Sequence, residues 1–214
     1  TLHSYPDGED EAGADARLHE IADGLRAEGK TPYIIPLAPG HPPYGALGYV
    51  RAAREMAQQI TAQGLNVTEI VVASGSGHTH GGTLFGVKAL GLPMRVTGVC
   101  VRRDAGQQRP RIIKRCQEIA DLLGVANPVS DDDVIITDAF LAPGYGRLND
   151  ATRQAIALAA RNEALLLDPV YTGKVMAGCL ARAAEVEPGS GLVFMHTGGT
   201  PAVFAYEPEL AALG

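Results

Sequence analysis

The sequence predicts an open, mostly parallel β-sheet covered by helices, and three observations carry that prediction. Apolar segments of strand length alternate with amphipathic segments of helical period along most of the chain. The connections between them are short, as in parallel α/β units. Small and polar residues also collect just after the carboxyl ends of three strands, at residues 74–79, 169–173 and 196–200. That edge is where open α/β sheets hold ligands.

Taken in order, residues up to about Gly13 read as loop, since Pro6, Gly8 and an acidic run offer nothing to bury. Leu18, Ile21, Ala22 and Leu25 recur at helical spacing and predict a helix over 14–30, ended by Gly29. Tyr33-Ile34-Ile35 predicts a short strand closed by Pro36, and 38–48 reads as a Pro- and Gly-rich loop. Val50, Ala53, Met56 and Ile60 form the inward stripe of a helix over 49–63, and 67–73 is the next strand. After the loop at 74–79, GGTLFGVKALG predicts a helix from Gly81 to about Gly91, then a strand over 94–101. Residues 111–123 are the clearest amphipathic helix, with Ile112, Ile113, Cys116, Ile119, Ala120 and Leu123 on one face. A short strand at 134–137 and a helix at 150–160, capped by Asn149 or Asp150, follow. A strand at 164–168, a turn at 169–173, a helix at 174–184 and a strand at 192–195 complete the pattern.

The 214 residues suffice for one substantial core or two modest domains. The net charge of −6, with no contiguous basic run, argues against nucleic acid, and no apolar run is long enough for a membrane span. Cys100, Cys116 and Cys179 are an odd number at wide spacing, read as buried free thiols of a cytoplasmic protein. The N-terminus is acidic, unlike a signal peptide, and lacks a starting Met. Processing and a missing preceding segment both remain open.

The chain is organised around VVASGSGHTHGG at residues 71–82. A strand, a small-residue loop and a helix N-terminus together make an anion cradle, because glycines let successive N–H groups converge and the helix dipole adds positive potential. The loop is not a Walker A motif, since no Gly-Lys-Ser/Thr follows, and GxGxxG fails at His80. No Cys or carboxylate motif completes a metal site around His78 and His80, so no metal is expected. Without nucleotide-specific residues, a small phosphorylated cofactor is the expected ligand. Tyr171 in PVYTG and Tyr145 in PGYGR occupy Gly-flanked handover points. A tyrosyl ring there can stack on a planar cofactor while its hydroxyl handles a proton. Thr172 and Thr197 offer neutral hydroxyls to a ring nitrogen.

These motifs resemble the tryptophan-synthase-like, fold-type II pyridoxal-phosphate enzymes, in the branch of D-cysteine desulfhydrase, L-cysteate sulfo-lyase and 1-aminocyclopropane-1-carboxylate (ACC) deaminase. The resemblance is carried by PYIIP at 32–36, GALGYV at 45–50, VVASGSGHTHGG at 71–82 and FLAPGYGRLND at 140–150. LLLDPVYTGKVMAG at 165–178 and FMHTGGTPAVFAY at 194–206 complete it, in family order. It implies an open parallel sheet with helices on both faces and its N-terminal part missing. Residues 1–40 would be the remainder of the smaller domain, and 41–214 an incomplete larger, cofactor-binding domain. The cofactor would be pyridoxal 5'-phosphate, its phosphate cradled by Ser76, Gly77, His78 and Thr79, with His78 departing from the small residue usual there. The resemblance puts Tyr171 near the pyridine ring in a proton-transfer role and Tyr145 across the substrate side. Thr197 and Gly198 of HTGG, with Thr172, complete the cofactor set. In the deaminase branch an acidic residue follows the active-site tyrosine; here it is Thr172. A neutral partner leaves the ring a weaker electron sink, which disfavours cyclopropane opening.

Family members also carry a Schiff-base lysine in an Asn-Lys setting and a later Ser-Asn loop, and none of Lys30, Lys88, Lys114 and Lys174 has that context. The resemblance therefore implies a complementary N-terminal segment or chain supplying the lysine, and an inactive chain without it. The expected activity of the complete unit is β-elimination on a small amino acid, D-cysteine first and L-cysteate as the alternative. A non-catalytic cofactor-binding remnant or subunit stays open beside them. Family members are usually homodimers.

Overall fold

The computed structural model describes residues 1–4, 12–36 and 40–211. They form two compact units, Thr1–Pro42 and Pro43–Gly214. In the first, α1 (Ala12–Ala27) is followed by an extended segment. The expected strand at 33–35 does not form. Tyr33 and Ile35 are 89% and 71% exposed, and this unit contains no second strand among its described residues to complete a ladder.

In the second unit, β1 (Val67–Ser74) lies at the heart of a four-stranded parallel sheet with β2 (Arg95–Cys100), β3 (Ile135–Thr137) and β4 (Gly191–Phe194). The order is β3-β2-β1-β4, with Ile70 opposite Val96 on one side and Val193 on the other. Alternation divides β1 between two cores, as a period of two requires. Ile70 and Val72 pack with Leu84, Phe85, Val87, Ile112, Cys116 and Ile119 of α3 (His78–Ala89) and α4 (Ala105–Leu123). Val71 instead joins Val99 and Val175, the latter on α6 (Thr172–Ala183). So α2 (Tyr44–Ala62), α3 and α4 cover one face, while α6, backed by α5 (Asp150–Glu163), covers the other. The predicted sheet, covered on both faces, is the one that forms.

Helix α3 sits unusually close to α2. A methyl on Gly82 would lie 2.4 Å from the Ala46 carbonyl oxygen, and one on Gly86 would lie 2.7 Å from both Ala53 Cβ and the Val50 carbonyl oxygen. The obstacles are mostly backbone, so no rotamer change relieves them. Gly82→Ala is expected to cost about 2 kcal/mol, read as a lower urea midpoint at unchanged slope. An unshifted midpoint would mean that α2 is free to back away.

Several boundaries differ from expectation. Helix α2 starts at Tyr44, inside the expected loop, because Ala46 is needed against α3 and is fully buried. Helix α3 starts at His78, since Gly77 at φ +91° reverses the chain in one residue. Helix α4 starts at Ala105, where Asp104 accepts from the Gln107 N–H at 2.8 Å; Pro110 is accommodated within it. The expected strand at 164–168 is absent. Its backbone is engaged otherwise: Ala164 N–H and Leu165 N–H close the end of α5, Leu166 O contacts His196 Nε2 at 3.0 Å, and Asp168 N–H donates to Thr172 Oγ1. A ladder there would compete with all four.

Cys100 and Cys116 are buried thiols, each pushed up to about 12 chiefly by desolvation, while Cys179 is half-buried. Among the described residues no helix is long and apolar enough to cross a membrane.

Candidate active site

The carboxyl end of β1 delivers the loop expected to hold an anion, and the chain behind it is fixed from α4. Gln108, fully buried, donates through Nε2 to Ser74 Oγ at 3.0 Å and to the Gly75 carbonyl at 2.9 Å. Ser74 Oγ also shares a hydrogen bond with His80 Nδ1, 3.0 Å away. Burial lowers the His80 pKa to about 4, so the ring is neutral. The ring is clamped as well, since a methyl on Gly98 would lie 2.3 Å from Nδ1.

Above this support, Gly77 has no capping side chain, and the first intrahelical bond of α3 runs from Gly81 N–H to Gly77 O at 2.8 Å. The amides of the first turn therefore precede the helical ladder and point their positive ends outward. Ser76, Gly77 and Thr79 line a cleft of about 240 Å³ together with Tyr171, Thr197 and Gly198. Tyr49 of α2 borders it too.

Tyr171 is placed by Asp168. This fully buried carboxylate accepts through Oδ2 from Val170 N–H and Tyr171 N–H, each at 2.8 Å. Through Oδ1 it accepts from Thr172 N–H at 2.8 Å and the Thr172 hydroxyl at 2.7 Å. It also seats the opposing loop, for a methyl on Gly199 would lie 2.8 Å from Asp168 Cγ. Tyr145, on the loop before α5, does not itself line the cleft but shares a hydrogen bond, hydroxyl to hydroxyl, with Tyr171. The rings meet edge to face, with centroids 6.0 Å apart, and the Arg102 guanidinium lies 5.3 Å over the Tyr145 ring. Desolvation and the bond from Tyr145 push the Tyr171 pKa well above the ordinary phenol value. Near neutrality the Tyr171 hydroxyl therefore keeps its proton.

Of the residues singled out from sequence, Ser76, Gly77, Thr79, Thr197, Gly198 and Tyr171 meet around the cleft, and Tyr145 joins through Tyr171. His78 opens α3 and brings its backbone N–H 3.5 Å from Ser76 Oγ; it is not among the residues lining the cleft. Thr172 does not reach the cleft: it is fully buried, and its hydroxyl is committed to Asp168 as both donor and acceptor. Asp168, Gln108 and Lys174 were not singled out. For Asp168 a signal existed, a carboxylate just ahead of a helix with Thr four residues on, but it was absorbed into the expected strand. Gln108 and Lys174 act across distances of 30 or more residues, which no local pattern encodes.

The residues present suit a phosphorylated planar cofactor. The uncapped α3 N-terminus, the exposed Ser76 and the Thr79 hydroxyl suit the phosphate. Tyr171 and Thr197, an aromatic ring and a neutral hydroxyl residue, line the same cleft and suit the planar ring.

Comparison with known proteins agrees. The family described as pyridoxal-phosphate dependent enzyme matches residues 1–198. The D-cysteine desulfhydrase of Salmonella paratyphi C (strain RKS4594) is 41% identical over 198 residues, 92% of this chain and 59% of that protein. The D-cysteine desulfhydrase of Yersinia enterocolitica is 42% identical over 196 residues, 91% of this chain and 58% of that protein. Among solved structures, an ACC deaminase homologue superposes with a TM-score of 0.82 at 35% identity, covering 98% of this chain and 62% of the other. An O-ureido-L-serine synthase, at 13% identity and a TM-score of 0.59, shares the fold. The chain thus spans less than two thirds of the length of these relatives. It belongs to the pyridoxal-phosphate dependent enzymes, with the fold-type II architecture of the D-cysteine desulfhydrase and ACC deaminase group.

Proposed function

We propose that this chain forms the cofactor-binding part of a lyase that performs β-elimination on a small amino acid, D-cysteine first. Residues 41–214 would be its larger domain and 1–40 part of its smaller one. One observation carries the proposal: residues at the amino end of α3 and Tyr171 line one and the same cleft. The identity to the two D-cysteine desulfhydrases supports that substrate over L-cysteate.

Pyridoxal 5'-phosphate, when bound, would supply the electron sink for a carbanion at Cα. The chain's own residues do the rest. Ser76, Gly77, His78 and Thr79 would hold the phosphate through first-turn amides and hydroxyls and so limit the freedom of the bound group. Thr197 would offer a neutral hydroxyl to the ring. Tyr171, held protonated, would hydrogen-bond the departing β-thiolate, with Tyr145 held beside it through the hydrogen bond between their hydroxyls. The overall balance is D-cysteine plus water giving pyruvate, hydrogen sulfide and ammonia.

Two measurements test this. The chain should bind pyridoxal 5'-phosphate in a calorimetric titration and bind pyridoxal, which lacks the phosphate, at least about tenfold more weakly. Gly77→Asp, which brings a charge and a side chain to φ +91°, should abolish that difference. Equal affinities in the unaltered protein would remove the cradle. The chain together with a lysine-bearing N-terminal segment should release pyruvate from D-cysteine faster than from L-cysteate, and the chain alone no more than a trace. Faster release from L-cysteate would assign the sulfo-lyase instead, and absence of turnover with both would leave a binding subunit. The complete unit is proposed to be a homodimer, which its mass in solution checks.

A further inference from the structure

Lys174 stands three residues beyond Tyr171 in the first turn of α6 and is fully buried. Among the described residues no carboxylate lies within ion-pair distance of it. Its Nζ donates instead to two backbone carbonyls, Leu141 O at 2.7 Å and Gly144 O at 3.0 Å. Burying an ammonium group without a counter-charge is costly, and desolvation lowers the Lys174 pKa accordingly. Methionine would fill a similar volume without that cost, so the amine does something packing does not require.

Its acceptors show what that is. In the loop carrying Tyr145, Asn149 Nδ2 takes Phe140 O at 2.9 Å and Ala142 O at 2.6 Å, Lys174 takes Leu141 O and Gly144 O, and the Tyr206 hydroxyl donates to Gly146 O at 2.6 Å. Five carbonyls between Phe140 and Gly146 are thus held by three side chains rather than by a strand or helix. Asn149 anchors the loop to the start of α5, and Tyr206 anchors it to the turn of helix at residues 200–206. Lys174 alone of the three ties it to the helix whose first turn follows Tyr171.

We propose that Lys174 is a positioning residue: by gripping the Leu141 and Gly144 carbonyls it registers the Tyr145 loop on α6 and so brings the Tyr145 hydroxyl onto that of Tyr171. This deepens the proposed function, on whose assignment of the two tyrosines its catalytic meaning rests. The geometric claim needs no cofactor and is tested without one.

The test uses the chain with ¹³Cζ-labelled tyrosine, resonances being assigned with Tyr145→Phe and Tyr171→Phe. In the otherwise unaltered protein, Tyr145→Phe should shift the Tyr171 Cζ resonance, because the shared hydrogen bond is lost. In a Lys174→Met background the same change should shift it by less than about half as much, and Lys174→Arg should restore part of the difference. A shift of undiminished size in Lys174→Met overturns the proposal, since lower stability alone would not uncouple two phenols in the folded state. Should Lys174→Met fail to fold, the unaltered protein decides through native-state labelling across a urea series. Acetylation of Lys174 and tryptic cleavage after Arg147 should appear together, as one opening. Acetylated Lys174 with cleavage after Arg147 still at its native rate overturns it. Because neither readout involves pyridoxal 5'-phosphate or turnover, failure here leaves the proposed function standing, and failure of that function leaves this result interpretable.

Discussion

Asp168→Ala is expected to destabilise the chain by about 4 kcal/mol, the largest loss from any single change considered, because three buried or half-buried amides and one hydroxyl lose their acceptor together. Each such donor costs about 1–3 kcal/mol when stranded, and those of Val170 and Tyr171 recover part of that from water. For a chain of this length the loss corresponds to a fall in Tm of about 8–16 °C. Asp168→Asn should fall between, since one amide oxygen still accepts while the NH₂ group confronts donors. Calorimetry or thermal circular dichroism on the three proteins checks this. A fall of less than about 3 °C for Asp168→Ala would show that water replaces the carboxylate cheaply. The same substitution should weaken cofactor binding beyond its effect on stability, since Asp168 sets both Tyr171 and the Gly198–Gly199 turn.

The second large effect is at the other end of α6. Glu69 is fully buried near the start of β1, and Arg182 grips it through Nε at 3.0 Å and Nη2 at 2.9 Å. The Thr97 hydroxyl adds a bond at 2.6 Å and Arg95 one at 3.2 Å. Burial pushes this carboxyl up, but the bonds from Arg182 and Thr97 and the charges of Arg182 and Arg95 together outweigh it and hold the pKa below the ordinary value. Glu69→Ala is expected to cost about 3 kcal/mol near neutral pH, the lower end for a broken buried pair because Arg182 still reaches solvent. The sign of the pH dependence follows from linkage. With the folded pKa below the unfolded one, this contribution is complete above about pH 4.3 and drains away as pH falls through the lower folded value. Urea titrations should therefore show the gap between unaltered protein and Glu69→Gln narrowing from pH 7 to about pH 3. A gap that stays constant would mean that Glu69 contributes by shape alone.

Much of this was legible beforehand, for identifiable reasons. The 71–82 loop was readable because its chemistry is local: four glycines, three hydroxyl residues and a helix start lie within twelve consecutive positions. Tyr171 was readable because it stands where a turn meets a helix. The supporting network was not. Asp168 looked like the end of an apolar run, and ALLLD has the composition of a strand; the competing bonds of Leu166 O and Asp168 N–H, made to residues up to 30 positions away, decided otherwise. Thr172 was placed near the ring because its hydroxyl was free to be assigned on paper. In the folded chain the nearest carboxylate claimed it first. Tyr33-Ile34-Ile35 failed as a strand for a different reason, since β-propensity has no effect without a neighbour to pair with.

The glycine contact between α3 and α2 has one more consequence. With backbone against backbone at Gly82 and Gly86, the two helices lack side-chain padding that could deform between them. A push on the first turn of α3 is therefore borne by the longer α2 as well. If the proposed cradle holds, its amides would meet a negative group already in their final geometry, and little ordering entropy would be lost at that end of the cleft.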